Sequence, residues 1–338
     1  MPVSLEWYDD LDAVAADAAG ALDRAAQAVL YDRIAWLRLT RRHVLPDATL
    51  AILRAADGPD RAWLFLIADR RRHAAPLASW YSLDTGPVFA GDGARLLVPL
   101  LRAAGRRFDR LAFHPLGEAR AAPLESALRL AGWRTFRTRA STNWRITTRA
   151  MDFAAFWAAR PARMRNTAAR RARSHPLTIR LHRAFDAGAW ADYEAIYAAS
   201  WKPAEGSLPF LRALAEQEGA AGTLRLGVGY DPAGRAVAAQ LWLVEGGVAT
   251  IHKLAHREDA RAGSPGSILS QAMFRAAIDE DHVAEIDFGL GDEPYKADWM
   301  DTPHPVWRID AYRPFTPSGA LGIAREIAGR LARRHRPG

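Results

Sequence analysis

Residues 248–299 read VATIHKLAHREDARAGSPGSILSQAMFRAAIDEDHVAEIDFGLGDEPYKADW, and the order of elements inside them decides the fold. The first nine alternate enough to form a strand, the last of three at 223–230, 236–244 and 248–256. Asp231-Pro232-Ala233-Gly234 and Gly246-Gly247 join them. Connections this tight make an antiparallel meander. Ser264 is placed to cap a helix with Pro265 in its first position. Ile268, Leu269, Ala272 and Ala276 then recur at helical spacing over 265–280. A buried strand, Ala284–Phe288, follows and ends in Asp287-Phe288-Gly289. Meander, helix and returning strand together predict a mixed α/β layer. Gly263 and Gly266 permit close approach of backbone and ligand where the helix begins. A helix start of this kind favours a phosphate or carboxylate, to which Arg257 and Arg261 add charge.

Working outward, the first half of the chain shows the same order. Helical spacing over 9–45 precedes strand-like runs at 49–55, 62–69 and 76–83, then a helix near 93–105, a strand near 108–113, a helix near 121–131 and a strand near 133–146. In the second half, a strand at 177–183 and helices at 187–199 and 207–219 precede the meander, and a strand at 306–313 follows an irregular stretch. The expected division is an N-terminal unit over 1–150, an Arg-rich linker helix over 151–175, a second unit over 176–316 and a basic amphipathic helix over 317–338. The fold class is mixed α+β: two units, each a mostly antiparallel sheet flanked by helices. The linker carries Arg160, Arg163, Arg165, Arg170, Arg171 and Arg173, read either as a phosphate-binding comb or as the solvated face of a helix packed through Phe153, Phe156 and Trp157. The tail is expected to dock on the body, with contact to a membrane surface as the alternative.

Composition narrows the class. The 338 residues are 49% hydrophobic and 25% charged, which excludes disorder and fibrous repeats, and no apolar run is long enough to span a bilayer. No secretory leader is visible, and the lack of cysteine removes thiol catalysis and thiolate metal sites while fitting a reducing cytoplasm. Lys plus Arg is 46 against 38 acids, a net charge of +8. Only three of these cations are lysines, Lys202, Lys253 and Lys296, so most of the basicity reflects arginine used as a generic cation. A lysine differs in being compact and able to lose its proton when buried. No metal site is expected: His252 and His256 are four apart, but on a strand that spacing does not make a chelating pair.

The SPG-initiated helix, the segment Asp287-Phe288-Gly289-x-Gly291-Asp292-x-x-Tyr295-Lys296-x-x-Trp299 and the two-unit layout resemble the CelD/BcsL-like acyltransferases of the GNAT superfamily. These are related in fold to the FemABX aminoacyl-tRNA-dependent peptidyltransferases. The resemblance extends over nearly the whole chain and is most specific over 236–299. It implies a tandem GNAT-like fold that moves an acyl group from a thioester or aminoacyl ester to an amine. Acyl-CoA, most simply acetyl-CoA, would be a co-substrate, with no permanently bound cofactor. Acceptors would be a small-molecule, glycan or lipid amine in cell-envelope or polysaccharide chemistry. The superfamily's donor loop resembles Q/R-x-x-G-x-G/A, whereas Arg261-Ala262-Gly263-Ser264-Pro265-Gly266-Ser267 departs from it, and Pro265 removes one amide.

Transfer to an amine requires a neutral nucleophile, alignment and a stabilised oxyanion. On this reading Asp287 or Asp292 binds and deprotonates the acceptor, Tyr295 returns a proton to the leaving group, and Lys296 binds a carboxylate or phosphate. The donor site comprises the backbone of Leu254, Ala255 and His256 together with Arg261, Gly263, Ser264, Gly266 and Ser267. Gln240, Lys253, Trp201 and Trp299 are the candidate substrate-binding residues. Strand alternation places Ile251, Lys253 and Ala255 on one face and His252 on the other, with His252 as an alternative base. Two further readings stand beside this one: a FemABX-like transferase using charged tRNA, favoured by the arginine comb, and a degenerate fold serving as a binding scaffold.

Overall fold

The computed structural model describes residues 3–69 and 71–334. The chain forms two compact units, Met1–Ser141 with Pro305–Gly338, and Thr142–His304. This departs from the division at 150 and 316, because the chain returns to the first unit at its end. In that unit, β1 (Ser4–Tyr8), α1 (Leu11–Ala18) and α2 (Ile34–His43) precede a run of strands: β2 (Thr49–Asp57), β3 (Asp60–Ala68), β4 (His73–Pro76) and β5 (Val88–Ala90). Then come α3 (Leu97–Arg107), β6 (Arg110–Gly117), α4 (Glu118–Leu130) and β7 (Arg134–Thr147), within which the unit boundary falls.

The second unit continues with α5 (Phe153–Ala158), α6 (Ala162–Ser174), β8 (Thr178–His182), α7 (Ala187–Ala198) and α8 (Leu208–Ala220). The meander β9 (Leu224–Tyr230), β10 (Ala236–Glu245) and β11 (Val248–His256) leads to α9 (Pro265–Arg275), β12 (Glu285–Leu290) and the single turn α10 (Lys296–Trp299). Finally β13 (Thr302–Tyr312) and α11 (Pro317–Arg334) complete the first unit.

The first unit orders its strands β1–β2–β3–β4–β6–β13, with β5 on β3. Period-two alternation separates two cores. Ile52, Trp63 and Phe65 face Val14 of α1 and Leu37 of α2, whereas Leu53, Leu64 and Leu66 pack with Leu100 and Leu101 of α3. Two expectations fail here. Helical spacing at Leu22, Ala26 and Leu30 does not give a helix, because α1 terminates at Ala19 and Gly20 with φ of 47° and 89°. The strand expected over 76–83 does not form: β4 precedes it and ends at Pro76, where the chain leaves the sheet.

In the second unit the order is β7–β12–β11–β10–β9–β8, with β7 contributing residues 142–147. The meander is antiparallel as predicted, and β11 and β12 run parallel. Leu269, Met273 and Phe274 of α9 pack on Ala238, Trp242, Ala249 and Ile251. Gly227 makes this approach possible, since a Cβ there would lie 2.4 Å from the Met273 sulfur. The helix expected to 280 is α-helical only to Arg275 and ends in a π turn. The linker is two helices rather than one, broken before α6 at Pro161, which has no amide to continue α5.

Candidate active site

Strands β11 and β12 pair at only three positions, Val248 with Glu285, Ala249 with Ile286 and Thr250 with Asp287. Beyond them β11 runs on to His256 and β12 to Leu290 without pairing to each other. The carboxyl ends of parallel strands are where open α/β sheets bind ligands. A cavity of about 410 Å³ lies here, walled by Leu254 and His256 of β11, Phe288 of β12, the first turns of α9 and one face of α6.

A bulge shapes the β11 wall. Leu241 pairs with Lys253 but Trp242 with Ile251, so His252 is the extra residue and side-chain parity switches there. Lys253 and Ala255 are therefore on the face opposite Ile251, which corrects the alternation read from sequence. The Arg257 amide donates to the Val237 carbonyl at 2.9 Å. That register turns the amides of Lys253 and Ala255 toward β10 and those of Leu254 and His256 toward the edge that β12 has left. Of the three backbone positions expected at the donor, Ala255 is excluded.

The start of α9 forms the next wall. Ser264 holds the cap position but is left-handed, with φ 53° and ψ 46°, and its side chain caps nothing. Such a conformation costs a non-glycine residue roughly 1–2 kcal/mol. Pro265 lacks an amide, and the Gly266 amide in the first turn has no intrahelical acceptor. Ser264, Gly266, Ser267 and Ser270 all line the cavity. His256 lies against this turn, with a Cβ on Gly266 falling 3.2 Å from its Nδ1. Its ring packs on Trp201 at a centroid distance of 4.2 Å, tilted by 39°. Burial, followed by the charges of Arg261 and Lys202, outweighs Glu258 and lowers the His256 pKa, so the ring is neutral at pH 7. Tyr295 lines the opposite side, edge-on to Phe288 at 5.7 Å. Burial and the Glu293 charge push its hydroxyl up to about 12, so it remains a proton donor.

All three lysines belong to this unit. Lys253 pairs with Glu205 at 3.1 Å, and Lys296 with Glu293 at 3.0 Å while donating to the Leu290 carbonyl at 2.6 Å. Lys202 lies in the fields of both pairs, and burial followed by the Lys253 charge lowers it to about 8. Three ammonium groups thus share two carboxylates, each already bonded to another lysine.

Several sequence candidates do not reach the cavity. Asp287 is 6% exposed; its oxygens accept from the Gly289 amide at 2.7 Å and Asn143 Nδ2 at 3.1 Å, and it pairs with Arg145 Nη2 at 3.2 Å. It faces β7 and holds the turn that ends β12. Asp292 is exposed on the following loop, and Lys296 is buried in its ion pair. Gln240 is 1% exposed, donating to Ser270 Oγ at 2.7 Å and accepting from Trp242 Nε1 at 2.8 Å, so it ties α9 to β10. Arg261 is exposed beside Glu258, and Gly263 packs on His175. Trp201 and Trp299 do line the cavity, Trp201 half-exposed and Trp299 mostly within the core.

The arginine comb divides, with Arg160 buried and Arg163, Arg170 and Arg173 exposed. Arg160 is buried, donating to the Trp299 carbonyl at 2.9 Å and pairing with Asp301 at 2.8 Å, and Arg163 pairs with Asp298 at 2.8 Å. Sequence reasoning missed that Arg163, Met164, Thr167 and Ala168 form a wall, because a charge-rich helix reads as solvated. Ser270 was accessible to it, lying one helical turn beyond Gly266 and Ser267. Among the described residues no group of three His, Asp or Glu could hold a metal ion.

Residues 158–297, inside the second unit, match the family model of the acetyltransferase (GNAT) domain. No curated protein matches the sequence significantly. Among solved structures the chain is similar to FemX, at 10% identity and TM-score 0.60 over 83% of this chain and 92% of that one. It is also similar to L-PGS from Bacillus licheniformis, at 14% identity and TM-score 0.55 over 85% of this chain and 90% of that one. These likenesses span most of the chain and agree with its mixed α/β fold, of which residues 158–297 match the GNAT domain.

Proposed function

We propose that the second unit is an acyltransferase that accepts an acyl-CoA, most simply acetyl-CoA, between β11 and β12 and passes the acyl group to an amine. The carrying observation is the uncapped start of α9, which opens with a strained Ser264 on the cavity where two parallel strands part. The donor's phosphates sit at this terminus, where the Gly266 amide and the helix dipole favour negative charge. Its thioester carbonyl lies against the edge of β11, within reach of the Leu254 and His256 amides as oxyanion donors; one such donor is worth about 3 kcal/mol.

His256, neutral and on the cavity wall, takes the proton from the attacking amine, and the Tyr295 hydroxyl supplies one to the departing thiolate. Asp287 is a positioning residue on this reading. Lys202 offers a cation to an acidic group on the acceptor. The acceptor is a small-molecule, glycan or lipid amine, consistent with the CelD/BcsL resemblance and a cytoplasmic donor pool.

An aminoacyl-tRNA donor in the same cavity is the second reading, supported by the exposed Arg170 and Arg173 on α6. It is the weaker one, because Arg160 is buried against the Trp299 carbonyl and Asp301, and Arg163 already pairs with Asp298. Thermal unfolding with acetyl-CoA, CoA and charged tRNA separates the two. A ligand at a hundred times its Kd stabilises by about 2.7 kcal/mol. Stabilisation by acetyl-CoA, with thiol release on adding an amine panel, is the expected result. No shift with either CoA species overturns the reading, and a salt-sensitive shift with tRNA alone favours the second.

A further inference from the structure

Helix α11 is attached to the first unit by the side of it that is least hydrophobic. Gly319 and Gly322 form its inner surface: a Cβ on Gly319 would lie 2.0 Å from the Arg313 carbonyl oxygen, and one on Gly322 2.3 Å from the Tyr312 ring. Ser318 Oγ donates to Asp109 at 2.5 Å, Tyr312 hydroxyl to Glu326 at 3.4 Å, and Arg330 to the Arg137 carbonyl at 3.2 Å while covering Phe136. The apolar residues point the other way. Leu321 is 52% exposed, Ile327 44% and Leu331 51%, and Ala320, Ala324 and Ala328 are exposed among them. At 100° per residue these six fall within an arc of about 120°. Phe315, at the entrance to the helix, is 95% exposed. A helix docked for its own burial would present this arc to the body; here it faces outward and is continuous.

We infer that this face of α11 seats the protein on an anionic membrane surface. Charge complementarity selects that partner. Besides the Arg330 that holds the helix to the body, residues 325–336 contain Arg325, Arg333, Arg334 and Arg336 against a single acid, Glu326, in a chain of net charge +8. Arg325 is exposed at the edge of the apolar arc, where a guanidinium meets lipid phosphates while the leucines enter the acyl boundary. No helix among the described residues is long and apolar enough to cross a bilayer, so α11 would lie in the interfacial plane. The inference does not depend on the acyl-transfer reading, which concerns the other unit.

The test is sedimentation of the full chain with vesicles of phosphatidylcholine alone and of phosphatidylcholine with phosphatidylglycerol, beside light scattering of the protein alone. The double variant Leu321→Glu/Leu331→Glu changes only exposed side chains, and circular dichroism checks its folding. Salt-sensitive binding confined to the anionic vesicles, reduced roughly tenfold or more in the variant, is the expected result. Failure of the wild-type chain to bind anionic vesicles, equal binding to neutral ones, or equal binding by the variant overturns it. A dimer that the double variant converts to monomer also overturns it, assigning the face to a second copy.

Discussion

Replacing Asp287 by asparagine separates a positioning role from a catalytic one. The carboxylate accepts two hydrogen bonds, from the Gly289 amide and Asn143 Nδ2, and forms an ion pair with Arg145 Nη2. An asparagine keeps one carbonyl oxygen and turns an amide toward donors on the other side. Either the Gly289 bond is lost, or the Asn143 bond together with the Arg145 ion pair. A buried hydrogen bond to a charged group contributes about 1.5–3 kcal/mol. The Arg145 side chain is 40% exposed, so its share is discounted for screening. The net expectation is a loss of about 2 kcal/mol, or roughly 4–8 °C in Tm for a unit of this size. Thermal unfolding measures that loss, and isothermal titration with CoA at a temperature where the variant remains folded measures donor affinity, which should stay within about threefold. A general base would behave otherwise: its removal lowers turnover by about 10²–10⁴ and leaves Tm unchanged. That pattern for Asp287→Asn, with intact CoA affinity, would falsify the positioning argument and return the carboxylate to the chemistry.

Three further outcomes follow from the site. Gly266→Ala gains about 0.5–1 kcal/mol of helix propensity and loses a similar amount where its Cβ meets His256, so Tm barely moves. The added methyl crowds the turn assigned to the donor phosphates, and CoA affinity measured by calorimetry should fall about tenfold; unchanged affinity would move the donor elsewhere. His252 is held at about 3, first by burial and then by the Lys253 charge, against about 6.5 when unfolded. The unfolded chain therefore binds the extra proton, and stability falls with pH below about 6.5 at up to 1.4 kcal/mol per unit. Urea midpoints from pH 7 to 5 should show this acid limb, and His252→Asn should flatten it. Lys202→Met removes the surplus cation and is expected to raise stability by about 1 kcal/mol while lowering turnover with acidic acceptors. A lower Tm for that variant would show that Lys202 is compensated within the fold.

Much of the fold was legible in local pattern. The meander, its two tight connections and the helix at Pro265 follow from alternation, glycine pairs and a proline that tolerates only a first-turn position. The cavity wall at the start of α9 was legible for a related reason, since Ser264, Gly266 and Ser267 mark a helix start that any fold must leave open or cap. The surroundings of Asp287 were not. Asp287 at a strand end beside a glycine has the same sequence signature whether it faces a cleft or a neighbouring strand. Only β7, brought to its side from more than a hundred residues away, supplied Asn143 and Arg145 and settled which. The bulge at His252 was hidden similarly, because one extra residue leaves alternation intact in the sequence while reversing it in the sheet.

By itself, then, the sequence determined the class of most elements, the two-unit composition and the presence of a helix start at Pro265. These depend on residues within a turn or two of one another. Tertiary structure decided which faces met: the pairing of Lys253 with Glu205, the burial of Arg160 against the Trp299 carbonyl, the conversion of α6 into a cavity wall and the outward turn of α11. Those outcomes depend on register and packing between distant segments, where a one-residue shift moves a side chain to the opposite face.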